Sequence, residues 1–360
     1  MPEDVAAAAA AAEDMPSQAG LGFISLRQVF PEDVRLLPAS FRERIINRTP
    51  QERKWGETMS LLSEIRQIPD AAERCLRETK GLSLPTGVPY VGMGSSYFAP
   101  LCLKFAGARI VPEIASEFCN YLAERLPLGV LVSQSGRSTE TRWCADLFDK
   151  YVAVVNDPSS PLACGKNCTQ VVDIRAPEEK FSSTATYVNT LVALYNGLGF
   201  DPAPAVAHLK KNFKEYEAWA REAATRIASR AGRLNGIYVL GSGPNIATAY
   251  EAALTLGEST KLPFYAMPLA QYDHGPKEAA KASLVISINV KGPSYERTKK
   301  VMETVRGAGA EVITLDETRL DERLSPISLI VPLNFLMHHL GERLGSDPSF
   351  SVGSKVTELG

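Results

Sequence analysis

Four histidines serve the whole 360-residue chain, and its six cysteines (75, 102, 119, 144, 164 and 168) are scattered rather than paired. Cys164 and Cys168 form a CxxxC arrangement, but no second pair or nearby histidine completes a zinc set, so no metal is expected. The plain reading is reduced, mostly buried thiols in a cytoplasmic protein. Positive charge is equally short: 39 Lys and Arg stand against 41 Asp and Glu, for a net charge of −2. That leaves no basic field for nucleic acid or for an anionic membrane surface. No apolar run approaches the roughly 20 residues that cross a bilayer. A GxxxxGK[ST] phosphate loop is missing, and GMGSSY and GSGPN lack GxGxxG spacing, so there is no P-loop and the signal for dinucleotide binding is weak.

What is present is ordinary globular material, 45% hydrophobic and 22% charged, in a chain long enough for two domains. The N-terminal MPEDVAAAAAAAEDMPSQAG has no basic n-region, which argues against a signal peptide. Residues 1–20 read as a mostly disordered extension. From there the chain alternates strand-like runs with helical ones. VPYVGMG (88–94), RIVPEIASEF, LGVLVSQSG (128–136), YVAVVND (151–157) and QVVDIRA (170–176) read as strands with helices between them. A charged amphipathic helix over about 205–232 joins this half to a second. There GIYVLGSGPN (236–245), SLVISINV (283–290) and EVITLDE supply strands, and SLIVPLNFLMHHLGERLG is read as a last strand and helix. GETMSLLSEIRQIPDAAERCLRET (56–79) is a leading helix. Such alternation implies right-handed crossovers and a parallel sheet covered on both faces. YVGMGSSYFAP echoes YVLGSGPNIAT, and VLVSQSG echoes LVISINV, so the α/β unit is duplicated.

Ligands of open parallel sheets bind beyond the carboxyl ends of the strands. Hydroxyls crowd two such ends, GMGSSY (92–97) and SQSGRST (133–139), and a third cluster, SSTAT (182–186), opens the next helix. One cluster alone is an N-cap as readily as a ligand site; three at corresponding ends favour a cradle for a phosphate. His274, in the polar loop QYDHGPKE, is not a packing residue on its face, although a structural role is equally open. Glu258 closes an otherwise apolar and small-residue helix, where burial would suit it to general-base work and exposure would make it a plain surface carboxylate. Lys355 lies in a polar C-terminal tail, either solvated or folded over a site as a Schiff-base or phosphate-neutralising amine.

Taken in order, MGSSY, EIASEF (113–118), SQSGRST, VVNDPSSPLA, SSTAT, YEAALTLGES and AQYDHGP, led by EIRQIPDAAERCL, resemble the motifs of the sugar isomerase (SIS) family. The likeness spans about residues 56–358 and is closest to the isomerase half of glucosamine-6-phosphate synthase and to SIS-type glucosamine-6-phosphate deaminases. It implies two tandem SIS domains, each a parallel sheet flanked by helices in a flavodoxin-like, three-layer αβα arrangement. The implied boundaries are 21–203 for the first domain with its leading helix, 204–232 for a linker helix, 233–345 for the second domain and 346–360 for an active-site tail.

The resemblance further implies that Ser95, Ser96, Ser133, Gln134, Ser135 and Ser138 bind a sugar phosphate, with Ser183 near the sugar hydroxyls. Glu258 would move a proton between C1 and C2, His274 would open the ring from the neighbouring subunit of a homodimer, and Lys355 would meet the keto-sugar carbonyl. No cofactor is called for. Pro2 stands where the synthase has its processed nucleophilic cysteine, so glutamine hydrolysis is not expected. Ala185 and Thr255 replace lysines of the synthase, Arg137 replaces a glutamate, and SKVTE is closer to the deaminase-type tail. The expected activity is therefore conversion of glucosamine 6-phosphate and water to fructose 6-phosphate and ammonia. A phosphosugar isomerase without amine chemistry and a non-catalytic sugar-phosphate regulator are the alternatives.

Overall fold

The computed structural model describes residues 60–122 and 124–358, which lie in one compact unit. The expected disorder of residues 1–20 and the first residues of the leading helix lie outside the described part. Where the chain begins to be described, Ser60 caps α1 (Leu61–Arg66), and the Ser60 and Ser63 hydroxyls each take the other residue's backbone amide. Pro69 then opens α2 (Ile68–Glu78), so the single leading helix expected from the sequence is two.

A first sheet follows: β1 (Pro89–Gly92), α3 (Ser95–Phe105), β2 (Val111–Ile114), α4 (Ala115–Tyr121), β3 (Leu126–Val132), α5 (Thr139–Cys144), β4 (Phe148–Val155) and β5 (Cys168–Asp173). Helices α6 (Ala185–Gly197) and α7 (Ala203–Ala228) lead to the second: β6 (Ile237–Gly241), α8 (Asn245–Thr260), β7 (Tyr265–Pro268), α9 (Leu269–Asp273), β8 (Leu284–Val290), α10 (Tyr295–Gly307), β9 (Glu311–Glu317) and α11 (Pro326–Leu344). All pairings are parallel. The strand orders, β2-β1-β3-β4-β5 and β7-β6-β8-β9, coincide over four strands, so the internal echo read from the sequence is topological.

Strand side chains alternate between two faces, which sorts the core. Tyr90, Val130 and Val152 of the first sheet and Val239, Ile286 and Ile313 of the second face one shared core with α6 and α11. Val91, Leu131 and Ala153 face outward onto Phe118 and Cys144, and Leu240, Val285 and Val312 onto Val301 and Val305. Because both sheets contribute to one hydrophobic core, they are not two independently packed bodies.

Two readings are corrected. SLIVPLNFLMHHLGERLG contains no strand: α11 runs through it from Pro326, buried nearly all round, and a helix apolar on every side loses the periodicity that would distinguish it from a strand. Conversely β7, YAMP, went unread, being a four-residue edge strand with an exposed Tyr265 and a terminal proline. Helix α7 is also more than a solvated connector, since Tyr216 reaches Ser328 of α11 with its hydroxyls 2.7 Å apart. All six cysteines are free; Cys75, Cys102 and Cys144 are buried, whereas Cys164 is exposed.

Candidate active site

The carboxyl ends of β1 and β3 meet the C-terminal turns of α8 and the chain's tail in a cleft of about 280 Å³. Gly92 ends β1 where the backbone of α3 doubles back: a Cβ there would sit 2.5 Å from the Ser96 carbonyl oxygen. This close approach sets Ser95 and Ser96 at the start of an 11-residue helix. After β3, Ser133 donates its amide to Val154, Gln134 accepts from the Asn156 amide at 2.9 Å, and Gly136 turns back onto the Ser133 carbonyl. At Gly136 φ is +62°, and a Cβ would lie 2.0 Å from the Ser160 hydroxyl. The loop is thus held by backbone bonds, leaving Gln134, Ser135 and Ser138 to line the cleft.

The third wall is built differently from the sequence expectation. Glu179, almost fully buried, accepts the amides of Thr184 and Thr186 at 3.1 Å and their hydroxyls at 2.7 and 2.6 Å. Two amides at the start of α6, those of Thr184 and Thr186, are therefore occupied by a carboxylate of the chain itself. Ser183 still lines the cleft, its hydroxyl 2.7 Å from that of Thr186.

The tail closes the fourth side. Thr139 donates its amide to the Thr357 carbonyl at 3.2 Å, and Lys261 donates to Ser349 at 2.8 Å. Lys355 thereby enters the cleft beside Phe350, Val356 and Thr357. Its ammonium donates to the Glu179 carbonyl at 3.0 Å and lies 3.5 Å from that residue's carboxylate. Glu258, in the last turn of α8, faces the same space. Burial raises its pKa, opposed by a bond from Ser182 and by the charge of Lys355.

Of the ten residues singled out from the sequence, eight line one cleft: Ser95, Ser96, Gln134, Ser135, Ser138, Ser183, Glu258 and Lys355. Ser133 is buried behind it, with its hydroxyl 3.3 Å from that of Ser138, and so supports the loop. His274 caps α9 with an exposed side chain and does not line the cleft of its own chain. Arg137 is exposed and pairs with Asp157 at 3.6 Å. Two larger clefts, of about 470 and 520 Å³, lie over Ser229, Arg230 and Ala282 and over Arg142, Trp143 and Tyr151, and neither brings a buried carboxylate to a lysine.

Three carboxylates were missed from the sequence. Glu251 is fully withdrawn from water on α8, takes a 3.0 Å bond from Ser95, and is raised well above the usual carboxylate range by burial and by Glu258 and Glu179. Its signal was its spacing from Glu258, two helical turns away on one face. Glu64 accepts the Lys180 amide at 2.7 Å and is pushed up to about 7 by burial. Neither Glu64 nor Glu179 carries a local signal, because each meets its partners only through the fold.

A parallel α/β chain with hydroxyl loops at its strand ends, buried carboxylates and a tail lysine is similar to proteins of the sugar isomerase (SIS) type, as its motifs are. No family model matches the chain. It is 26% identical to a glutamine–fructose-6-phosphate aminotransferase (isomerizing) of Methanothermobacter thermautotrophicus over 93% of this chain and 57% of that one. The chain thus spans a little over half the length of this curated relative. Among solved structures it is similar to a glucosamine-6-phosphate deaminase from Thermotoga maritima, with a TM-score of 0.68, 19% identity, and coverage of 83% of this chain and 99% of that one. The C-terminal domain of glucosamine-fructose-6-phosphate aminotransferase from Francisella tularensis matches with a TM-score of 0.66 and 19% identity, over 82% of this chain and 99% of that one. These two structures share the fold.

Proposed function

We propose that the chain is a hexosamine-phosphate isomerase of the SIS type, built as two tandem SIS halves. Its proposed reaction converts glucosamine 6-phosphate and water to fructose 6-phosphate and ammonia. The observation that carries this reading is the placement of Glu258 and Lys355 on one cleft with the hydroxyls of Ser96, Ser135 and Ser138. In the reading, those hydroxyls and Gln134 hold the phosphate at the start of α3 and around the β3 turn. His274 of a partner subunit opens the ring. Ionised Glu258 removes the C2 proton, the electron pair moves toward C1 to give an enolamine, and the returned proton enters at C1. The product ketimine adds water at C2, and ammonia leaves. Lys355 offers its ammonium to the developing oxygen charge at the carbonyl.

A carboxylate with a raised pKa suits this work, since it is the stronger base when ionised. The same rise means that the base form is lost, as pH falls, above the ordinary carboxylate range. The acid limb of kcat/KM is expected there.

Ammonia release from glucosamine 6-phosphate tests the reading, with Glu258→Gln expected to lower kcat by about 10²–10⁴-fold. Full turnover by that variant would remove Glu258 from the mechanism. Interconversion of glucose and fructose 6-phosphates without ammonia release would replace the reading with a phosphosugar isomerase. Tight binding with no turnover would leave a regulator.

A further inference from the structure

Far from the hydroxyl loops, the last turns of α11 carry His338, His339 and Glu342, whose ligand atoms all lie within 4.8 Å of one another. The Glu342 Oε2 atom stands 3.3 Å from His338 Nε2 and 3.4 Å from His339 Nδ1. These separations are long for N–H···O bonds, which cluster at about 2.7–3.2 Å. The two histidine–carboxylate separations match those of ligands held at about 2.1 Å from a common tetrahedral ion, which lie roughly 3.4 Å apart.

A second observation points the same way. His339 is 1% exposed, and its Nε2 has no hydrogen bond. That atom lies 3.5 Å from the carboxylate of Glu217 on α7. An ion on Nδ1 would fix the tautomer with the proton on Nε2, aimed at Glu217, the outer-sphere carboxylate that metal-bound imidazoles ordinarily have.

We propose that His338, His339 and Glu342 bind one divalent transition ion of the zinc class, with Glu217 as the outer-sphere partner of His339. Two imidazoles and one carboxylate are donors of borderline softness, suited to Zn²⁺, Co²⁺ or Ni²⁺ rather than to Mg²⁺ or Ca²⁺. His338 is mostly buried and Glu342 exposed, so water completes the coordination from the solvent side. Arg221 faces both rings and opposes a cation, but its guanidinium is bound to Glu217; Arg66 also lies near Glu217, while Glu342 adds a negative charge to the set. Because α11 runs directly into the tail, the ion would clamp the root of the segment that carries Lys355.

The test uses the full chain, free of added histidines and stripped by a chelator, titrated with Co²⁺ and, separately, with Zn²⁺. One equivalent of Co²⁺ is expected to bind with intense visible ligand-field bands, and Zn²⁺ is expected to raise Tm. Glu342→Gln, an exposed change that leaves the helix intact, should weaken binding tenfold or more, as should His338→Ala. Absence of binding overturns the proposal. So does affinity unchanged in Glu342→Gln, or thiolate-to-Co²⁺ charge-transfer bands that survive in both variants, which would place the ion on cysteines.

Discussion

Lys355 and Glu179 are joined twice: the ammonium donates to the Glu179 backbone carbonyl at 3.0 Å and lies 3.5 Å from its carboxylate. The same carboxylate accepts two amides and two hydroxyls from Thr184 and Thr186. One side chain therefore ties the start of α6 to the C-terminal tail, and the tail's position depends on a residue far away in sequence.

Replacing Glu179 with Ala should be costly. It leaves the Thr184 and Thr186 amides and the Thr184 hydroxyl without their carboxylate acceptor, for a loss of roughly 2–4 kcal/mol in urea unfolding. It also removes the carboxylate beside Lys355 and leaves only the backbone carbonyl to hold it, so the residual fold should show faster proteolysis of the tail. A variant with wild-type unfolding midpoint and tail protection would show that the link carries no stability.

Glu64 makes stability depend on pH in a defined window. Burial raises its folded pKa to about 7 from an ordinary value near 4.5. A raised carboxylate binds more protons in the folded than in the unfolded state between those two values. Its contribution is thus fully present below the unfolded pKa and lost as pH rises through about 7. Glu64→Gln keeps an acceptor for the Lys180 amide and removes the titration. Its unfolding free energy should fall less from pH 4.5 to 7.5 than that of the wild type, by roughly 1–3 kcal/mol, as discounted for partial solvent screening. Parallel stability–pH curves would show that Glu64 does not titrate in this range.

Gly136 tests whether the β3 loop is held in shape by its backbone. Gly136→Ala forces a side chain into a left-handed conformation and places a methyl 2.0 Å from the Ser160 hydroxyl. A cost of roughly 1–3 kcal/mol is expected, with a rise in KM for the sugar phosphate as Gln134 and Ser135 move. Adding Ser160→Gly removes the clash but not the strain, so it should recover part of the stability. Unchanged KM in Gly136→Ala would show that this loop does not hold the substrate.

Much of the fold was legible because parallel strands announce themselves locally. Runs such as VLV, YVAVV and LVISINV are buried on both faces, and glycine- and serine-rich turns end them. The hydroxyl loops were legible for the same reason, since each is a contiguous stretch at a strand end. Helix α11 was not, because burial on all sides erases the period that separates helix from strand.

The sequence by itself determined most of the alternation of elements, the duplication and the hydroxyl-rich loops at the strand ends. Those properties are written in neighbouring residues and in the repetition of short motifs. Only the tertiary structure decided that the α6 amides belong to Glu179, that Glu64 and Glu251 are withdrawn from water, and that His339 faces Glu217. Each depends on bringing distant segments within a few ångströms, and the pKa shifts follow from burial that no local pattern encodes.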